Sequence, residues 1–446
     1  MLTLFSFIRY NFAELHMITK RKKKMKKIVL LSVVASSIIM AGGTIDPIEP
    51  VVEAPAEVAS TSTSNWNFTG QGVLYYQTAD NWGAGSLFEQ GPKDANTGWA
   101  AAAAGIQLGA VNKDLFYGIG VGAEISGLSS LRLEKDIVSS LVQSGTGDLN
   151  GAEVTQAYIT YGIGNTSLKI GRQQLPKALS PFAFSESWNV FKNTFHAALV
   201  VNSDIPDTTL VYAYVTRANK SVGTPLSEFT KINKNGDMVH MLTAQNKSIS
   251  GLTLTGSWYL APDMMGDGND LNAVWGDAKF AIGDYSVAVQ GGQISPDTAD
   301  DTTAFGAKVA GNFGMFDASL AYSSVDDGTV DLANFGTGVK SPLYTQAILN
   351  QNAIRRDADS VKATIGAKAL GGKFTLAYIT SDLGKTANAS LFGTEKGEGT
   401  YQEIELIYKA KITKDITVFT AFINQNDDRQ ADDSQNFFRV WGRYTF

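Results

Sequence analysis

The sequence predicts an all-β chain, a transmembrane antiparallel β-barrel of 18 strands, and three observations carry that prediction. Polar and apolar residues alternate with period two from Trp66 to the last residue. Very short turns alternate with much longer connections. The final strand ends on an aromatic residue, Phe446. Composition narrows the class further. The 446 residues include 44 Gly, 11 Pro and no Cys, with a mean hydropathy of -0.06. No apolar run of about 20 residues follows residue 41, so a bundle of membrane-spanning helices is excluded. The absence of cysteine excludes disulfides, thiolate catalysis, Cys-ligated zinc and a lipidated Cys anchor.

The first element is a leader. Lys26-Lys27 precede an apolar stretch from Ile28 to Met40, followed by Ala41-Gly42-Gly43. A basic start, a short apolar centre and small residues describe a secretory signal over 1–41, with cleavage after Ala41 and Met25 as the true start. A stretch of thirteen residues is too short to span a bilayer. Removing residues 1–41 leaves 29 basic and 42 acidic groups, a net of about −13, which argues against nucleic acid as a partner. Residues 42–64, rich in Pro, Glu, Ala, Ser and Thr, read as a flexible periplasmic leader.

The barrel is expected over 65–446. Eight hairpins with tight turns are legible: 98–109 with 115–125, 153–161 with 166–174, 194–202 with 208–217, and 238–247 with 252–260. The others are 271–281 with 285–293, 303–311 with 315–323, 360–370 with 373–381, and 401–410 with 415–424. A first strand near 65–77 and a last near 436–446 complete eighteen strands; sixteen is the alternative count. An even number, with short turns on one side and long loops on the other, is the pattern of bacterial outer-membrane barrels.

Because lipid offers no hydrogen-bond partners, the outer face must be apolar. That rule assigns Leu252, Leu254, Gly256, Trp258 and Leu260 outward on 252–260, and Ile404, Leu406 and Tyr408 outward on 401–410, with Glu403, Glu405 and Lys409 inward. On 194–202 it assigns Phe195, Ala197, Leu199 and Val201 outward and His196 inward. Trp66, Tyr75, Tyr161, Tyr212, Trp258, Tyr322, Tyr408 and Tyr444 are read as interfacial girdles. An 18-stranded barrel is too wide for side chains alone to fill, so its polar inner face implies a water channel.

The last strand alternates Phe438, Val440, Gly442, Tyr444 and Phe446 with Arg439, Trp441, Arg443 and Thr445. This ending resembles the signal, here Tyr444 and Phe446, by which barrel-assembly machinery recognises outer-membrane proteins. The MKKIVLLSVVASSIIMAGG leader, the LKIGRQQLPKALSPFAF segment at 168–184 and the FRVWGRYTF terminus together resemble the OprD-like porins of Campylobacter-type bacteria. The resemblance implies a homotrimer in the outer membrane, with the third long loop folded inward as a constriction. That loop is 175–193, and it carries Pro176, Pro181, Phe182, Phe184, Trp188 and Phe191, which suits burial better than open water.

A porin catalyses no reaction; pore radius and the charges at its narrowest point set selectivity. The candidate lumen and constriction residues are Lys169, Arg172 and Lys177, then Glu186 and Lys192 along the loop, Arg439 and Arg443 across the barrel, and Lys362 and Lys368. Arg172 shares the phase of the lipid-facing Leu168 and Ile170, so it reaches the lumen only if the strand ends or bulges before it. Asp263, Asp267, Asn269 and Asp270, and likewise Asp297, Asp300 and Asp301, are acidic loops where calcium could sit, although the EF-hand spacing fails at Leu271. His196 and His240 come with no hydrolase-like partner set, and no other cofactor is indicated. The expected partners are outer-membrane lipid and lipopolysaccharide and small polar solutes. The expected function is passive diffusion of small hydrophilic solutes and ions. A channel selective for carboxylates or amino acids, as in some OprD-like proteins, and a structural or adhesive surface barrel are the alternatives.

Overall fold

A computed structural model of the chain describes residues 65–80, 85–91, 100–143, 150–219, 228–388, 397–430 and 434–446. The expected signal (1–41) and leader (42–64) lie outside the described residues. The described residues form twenty strands. In chain order they are β1 (Trp66–Ala79), β2 (Ala100–Phe116), β3 (Ile119–Ser129), β4 (Ser140–Leu141), β5 (Asn150–Ile163), β6 (Thr166–Gln173), β7 (Phe195–Asn202), β8 (Thr208–Asn219), β9 (Phe229–Lys231) and β10 (Val239–Asn246). There follow β11 (Leu252–Ala261), β12 (Leu271–Ile282), β13 (Tyr285–Pro296), β14 (Thr302–Phe313), β15 (Phe316–Val325), β16 (Ala358–Ala369), β17 (Gly372–Leu383), β18 (Gly399–Lys411), β19 (Ile416–Asp427) and β20 (Ser434–Thr445). The short β4 and β9 lie in long connections; the other eighteen make the wall.

Every wall strand pairs antiparallel with its neighbours, and β20 returns to β1 with Gln71 opposite Thr445 and Ala79 opposite Phe437. The last residue extends that seam: Phe446 and Gly70 exchange both backbone hydrogen bonds, at 2.8 and 2.9 Å. The Phe446 ring lies over Gly70, where a Cβ would meet it at 2.2 Å. A closed sheet has no unpaired edge, which a barrel in lipid requires.

Pattern and structure agree on strand count and loop asymmetry. They differ at the β2–β3 hairpin, where the turn falls at Tyr117-Gly118 instead of 110–114. Both residues hold positive φ (48° and 81°), as a two-residue hairpin turn demands, and a register irregularity between Asn112 and Phe116 absorbs the extra length.

Outside, the wall presents Leu74, Val287, Phe305, Leu320, Ile365 and Leu406, each at least half exposed. That surface suits lipid tails and no aqueous neighbour. Leu254 and Trp258 face out while Ser257 and Tyr259 are buried inside, and Ile404 and Leu406 face out while Glu403 and Glu405 are buried inside. On β7 the assigned phase is reversed. Phe195, Ala197 and Leu199 are buried within the lumen-side core, and His196 lies on the other face. Ala198 and Val200 make the outer phase apolar too, so alternation carried no signal there. Tyr75, read as a girdle residue, is likewise inside and buried.

Candidate functional site

The lumen holds folded chain. Loop 174–194 bends inward, and Phe182 packs edge-on against Tyr259 and Trp275 and stacks on Phe335, with centroids 5.4–5.5 Å apart. Its backbone amide donates to the Tyr259 hydroxyl (3.1 Å). Around it Leu175, Leu179 and Ala183 join the inward faces of β7, β8 and β10–β13 in one apolar cluster. The inner face of this side of the barrel is therefore dry where the loop covers it, against the expectation of a uniformly polar lining. Further along the loop, Val190 and Phe191 pack with Val73, Tyr75, Ala103, Leu128 and Leu141. Gln143, from the connection between β3 and β5, takes the Phe191 amide and donates to its carbonyl (3.0 and 3.2 Å).

A second loop, 326–357, also folds inward, which neither turn residues nor alternation signal. Carboxylates hold it. Glu186 of loop 174–194 is buried and accepts from the Asn334 amide (2.9 Å), the Thr337 hydroxyl and the Lys340 backbone N–H (3.0 Å). Its other oxygen accepts from the Trp188 indole (2.6 Å). On β18, Glu405 accepts the Ile348 N–H (2.6 Å) and Glu403 the Leu349 N–H (3.0 Å), while the Tyr401 hydroxyl donates to Glu403 (2.7 Å). On β12, Asp277 accepts from Tyr344. The Lys340 ammonium donates to the carbonyls of Ala347 and Ile348 (2.7 and 3.0 Å), and burial lowers its pKa. The available sequence signal was the stretch 341–354, which carries no charge, an unusual property for a loop in open water.

The nine sequence candidates divide. Arg443 faces inward, donating to Gln71 Oε1 (2.6 Å) and to the Val190 carbonyl (3.0 Å), so it ties the last strand to loop 174–194. Arg439 is inside and buried among Tyr75, Trp188 and Phe437, 5.1–5.9 Å from their centroids, and donates to Gln77 (3.3 Å). Lys169 lies over the Tyr158 ring (3.8 Å), and both Lys169 and Lys192 lie near the Glu124 carboxylate. Lys177 joins the two inward loops through the Ser341 carbonyl (3.1 Å), and Lys362 holds the Gln346 carbonyl (2.7 Å). Glu186 is a buried clamp, not a solvated constriction charge, because every side of its carboxylate meets a donor. Lys368 is exposed at the short-turn end beside Lys373, away from both loops. Arg172 lies in the outer-wall phase, bonded to Val154 O, Glu153 (3.4 Å) and His196 (3.1 Å). The irregularity that could have turned it inward sits on the neighbouring strands, where Thr155 and Thr216 are skipped in the register.

The acidic loops have other work. Asp263 accepts the Gly268 N–H (2.6 Å), Asp270 the Asp263 N–H (3.0 Å), Asp297 the Asp270 N–H (2.9 Å), and Asp301 takes Gln293 (2.6 Å). Among the described residues no three His, Asp or Glu side chains gather in a way that could hold a metal ion.

Solved structures share this architecture. Acinetobacter baumannii OccAB3 superposes with a TM-score of 0.67 at 14% identity, covering 85% of this chain and 99% of that one. Pseudomonas aeruginosa OccK8 (OprE) gives 0.64 at 14% identity over 85% and 98%. Pseudomonas aeruginosa OpdK, solved with vanillate, gives 0.66 at 14% identity over 85% and 98%. No family model matches the sequence, and no curated protein is similar to it in sequence. At such identities the likeness is one of fold.

Proposed function

We propose that the chain is a porin of the bacterial outer membrane, a passive channel for small hydrophilic solutes and ions. One observation carries the reading: a closed eighteen-strand wall is apolar outside and lines its inside with lysine, arginine and carboxylates. Such a wall is stable only in lipid, and charged lumen residues are stable only in water or against inward loops. Reconstitution into a planar bilayer tests it. Ion current in discrete steps is the expected result; a sealed bilayer would favour the structural or adhesive alternative.

An anion preference, and with it a selectivity for carboxylates, is the second part of the proposal. The inward carboxylates Glu186, Glu403 and Glu405 are engaged with loop donors, whereas Lys409 on the inner wall is exposed. The accessible lumen charge is therefore biased toward cations, although the whole chain is acidic. OpdK was solved with vanillate, a carboxylate. A homotrimer, relationship to the Campylobacter-type OprD-like porins, and use of Tyr444 and Phe446 as the barrel-assembly signal belong to the same proposal. Their support is the resemblance of the leader, the 168–184 segment and the terminus. Phe446→Ala is expected to cut outer-membrane yield while refolding in detergent proceeds; unchanged yield would remove the signal role.

A further inference from the structure

The outer wall carries a basic row that pore function does not use. Register places Arg172 on β6 opposite His196 on β7, His196 opposite Arg217 on β8, and Arg217 opposite Lys231 on β9. Four neighbouring strands thus present three cations and an imidazole side by side on one face. That face is the outer one, since Arg172 is in phase with the exposed Ile170 and Arg217 follows the exposed Tyr212 across the Thr216 bulge. The Phe229 ring packs against one half of the row, 4.1 Å from the Arg172 guanidinium and stacked 4.4 Å from His196. Glu153 and Asp237 pair with the two ends, at 3.4 and 2.8 Å. Arg217, in the middle and exposed, has only the Phe229 carbonyl (3.0 Å) and, among the described residues, no carboxylate within ion-pair distance.

Like charges side by side across a sheet are unfavourable unless an anion lies between them. The row caps the apolar wall on the long-loop side: Tyr212, Tyr214 and Ile170 lie next along the same strands, and beyond them Leu168 and Val200. Aromatic side chains mark the headgroup level of a membrane protein, and cations beside them attract anionic headgroups. Elsewhere around the ring the outer face differs, with Asp359 opposite Asp382 on β16 and β17.

We propose that Arg172, Arg217 and Lys231, with Phe229 as an aromatic floor, bind the phosphate groups of an outer-leaflet glycolipid. The proposal rests on the outer-membrane reading. Purified full-length protein in detergent would be titrated with bisphosphorylated lipid A and with the same lipid stripped of phosphate, with bound lipid counted by native mass spectrometry. Binding of the phosphorylated form is expected to be at least tenfold tighter. Arg217→Gln and Lys231→Gln should each weaken it about fivefold, at roughly 1 kcal/mol per cation, while Lys279→Gln inside the lumen leaves it unchanged. Lys231 lies beyond the wall proper, so its variant tests the proposal even if the Arg217 variant folds poorly. Equal affinity for the two lipids overturns the proposal, as does full competition by millimolar inorganic phosphate, which would mark a free-anion site. A second copy of the chain seated on the row, with Lys231→Gln dissociating the oligomer in either lipid, would assign it to a subunit interface instead. Bilayer conductance of the same sample keeps the two readings separate, because a conducting barrel without lipid preference fails only this one.

Discussion

The two sides of the lumen hold inward loops by opposite means. Along β7, β8 and β10–β13 the wall offers Leu199, Val215, Met241, Tyr259 and Trp275, and Phe182 fills the space between the last two and Phe335. Along β18 the wall offers Glu403 and Glu405, and each takes one backbone N–H of loop 326–357. Glu186 joins the two systems, since it belongs to the first loop and clamps the second. Hydrophobic burial is insensitive to pH and geometrically forgiving. Carboxylate clamps are directional and depend on charge. One inward assembly is therefore anchored on one side by packing and on the other by proton-sensitive hydrogen bonds.

The largest test of that contrast is Phe182→Ala. Removing a fully buried ring from a packed cluster costs about 3–5 kcal/mol, which should free loop 174–194 and raise single-channel conductance. Unchanged conductance together with an unchanged unfolding midpoint would mean that the apolar wall does not hold the loop. Glu186→Gln comes next. It exchanges hydrogen bonds to a charged acceptor, worth roughly 1.5–3 kcal/mol, for an amide that turns a donor toward Asn334 or Trp188. Protease cleavage within 326–357 should accelerate while the wall stays intact; no change in cleavage would deny the clamp.

A smaller effect is expected from Lys340. Burial lowers its ammonium to about 8 from the ordinary 10.5. Between those values the released loop carries a proton that the docked loop has lost, so docking strengthens as pH rises through that window. Lys340→Met should flatten this dependence in a pH series of loop proteolysis. A wild-type profile that weakens from pH 8 to 10 would contradict the sign. The smallest effect is electrical. One exposed unit charge beside the ion path contributes ~0.5 kcal/mol in water, so Lys409→Gln should reduce any anion preference about twofold in a reversal-potential measurement. Lys368→Gln, distant from both loops, should leave the constriction unaltered.

The wall is more legible in the sequence than the lumen. Turn residues, alternation and the closing Phe446 are local signals, because hairpin conformation and side-chain period are fixed by neighbours in the chain. They led to the strand count and to the outward phase of β11 and β18. They failed on β7, where Ala198 and Val200 are as apolar as Ala197 and Leu199. They placed Arg443 inside and the loop composition drew attention to Glu186, but the strut contacts that both make with a loop lay beyond any local signal.

The sequence by itself determined a closed, antiparallel, eighteen-strand wall with its loops gathered on one side, because alternation and tight turns leave such a chain no other way to satisfy its backbone in lipid. Only the tertiary structure decided what fills that wall. The partners of loop 326–357 stand far away in the chain, Glu186 about 150 residues before Asn334 and Glu405 57 residues after Ile348. Contacts of that separation come from barrel closure, which brings β18 and loop 174–194 to the same loop. No local pattern along the chain could specify them.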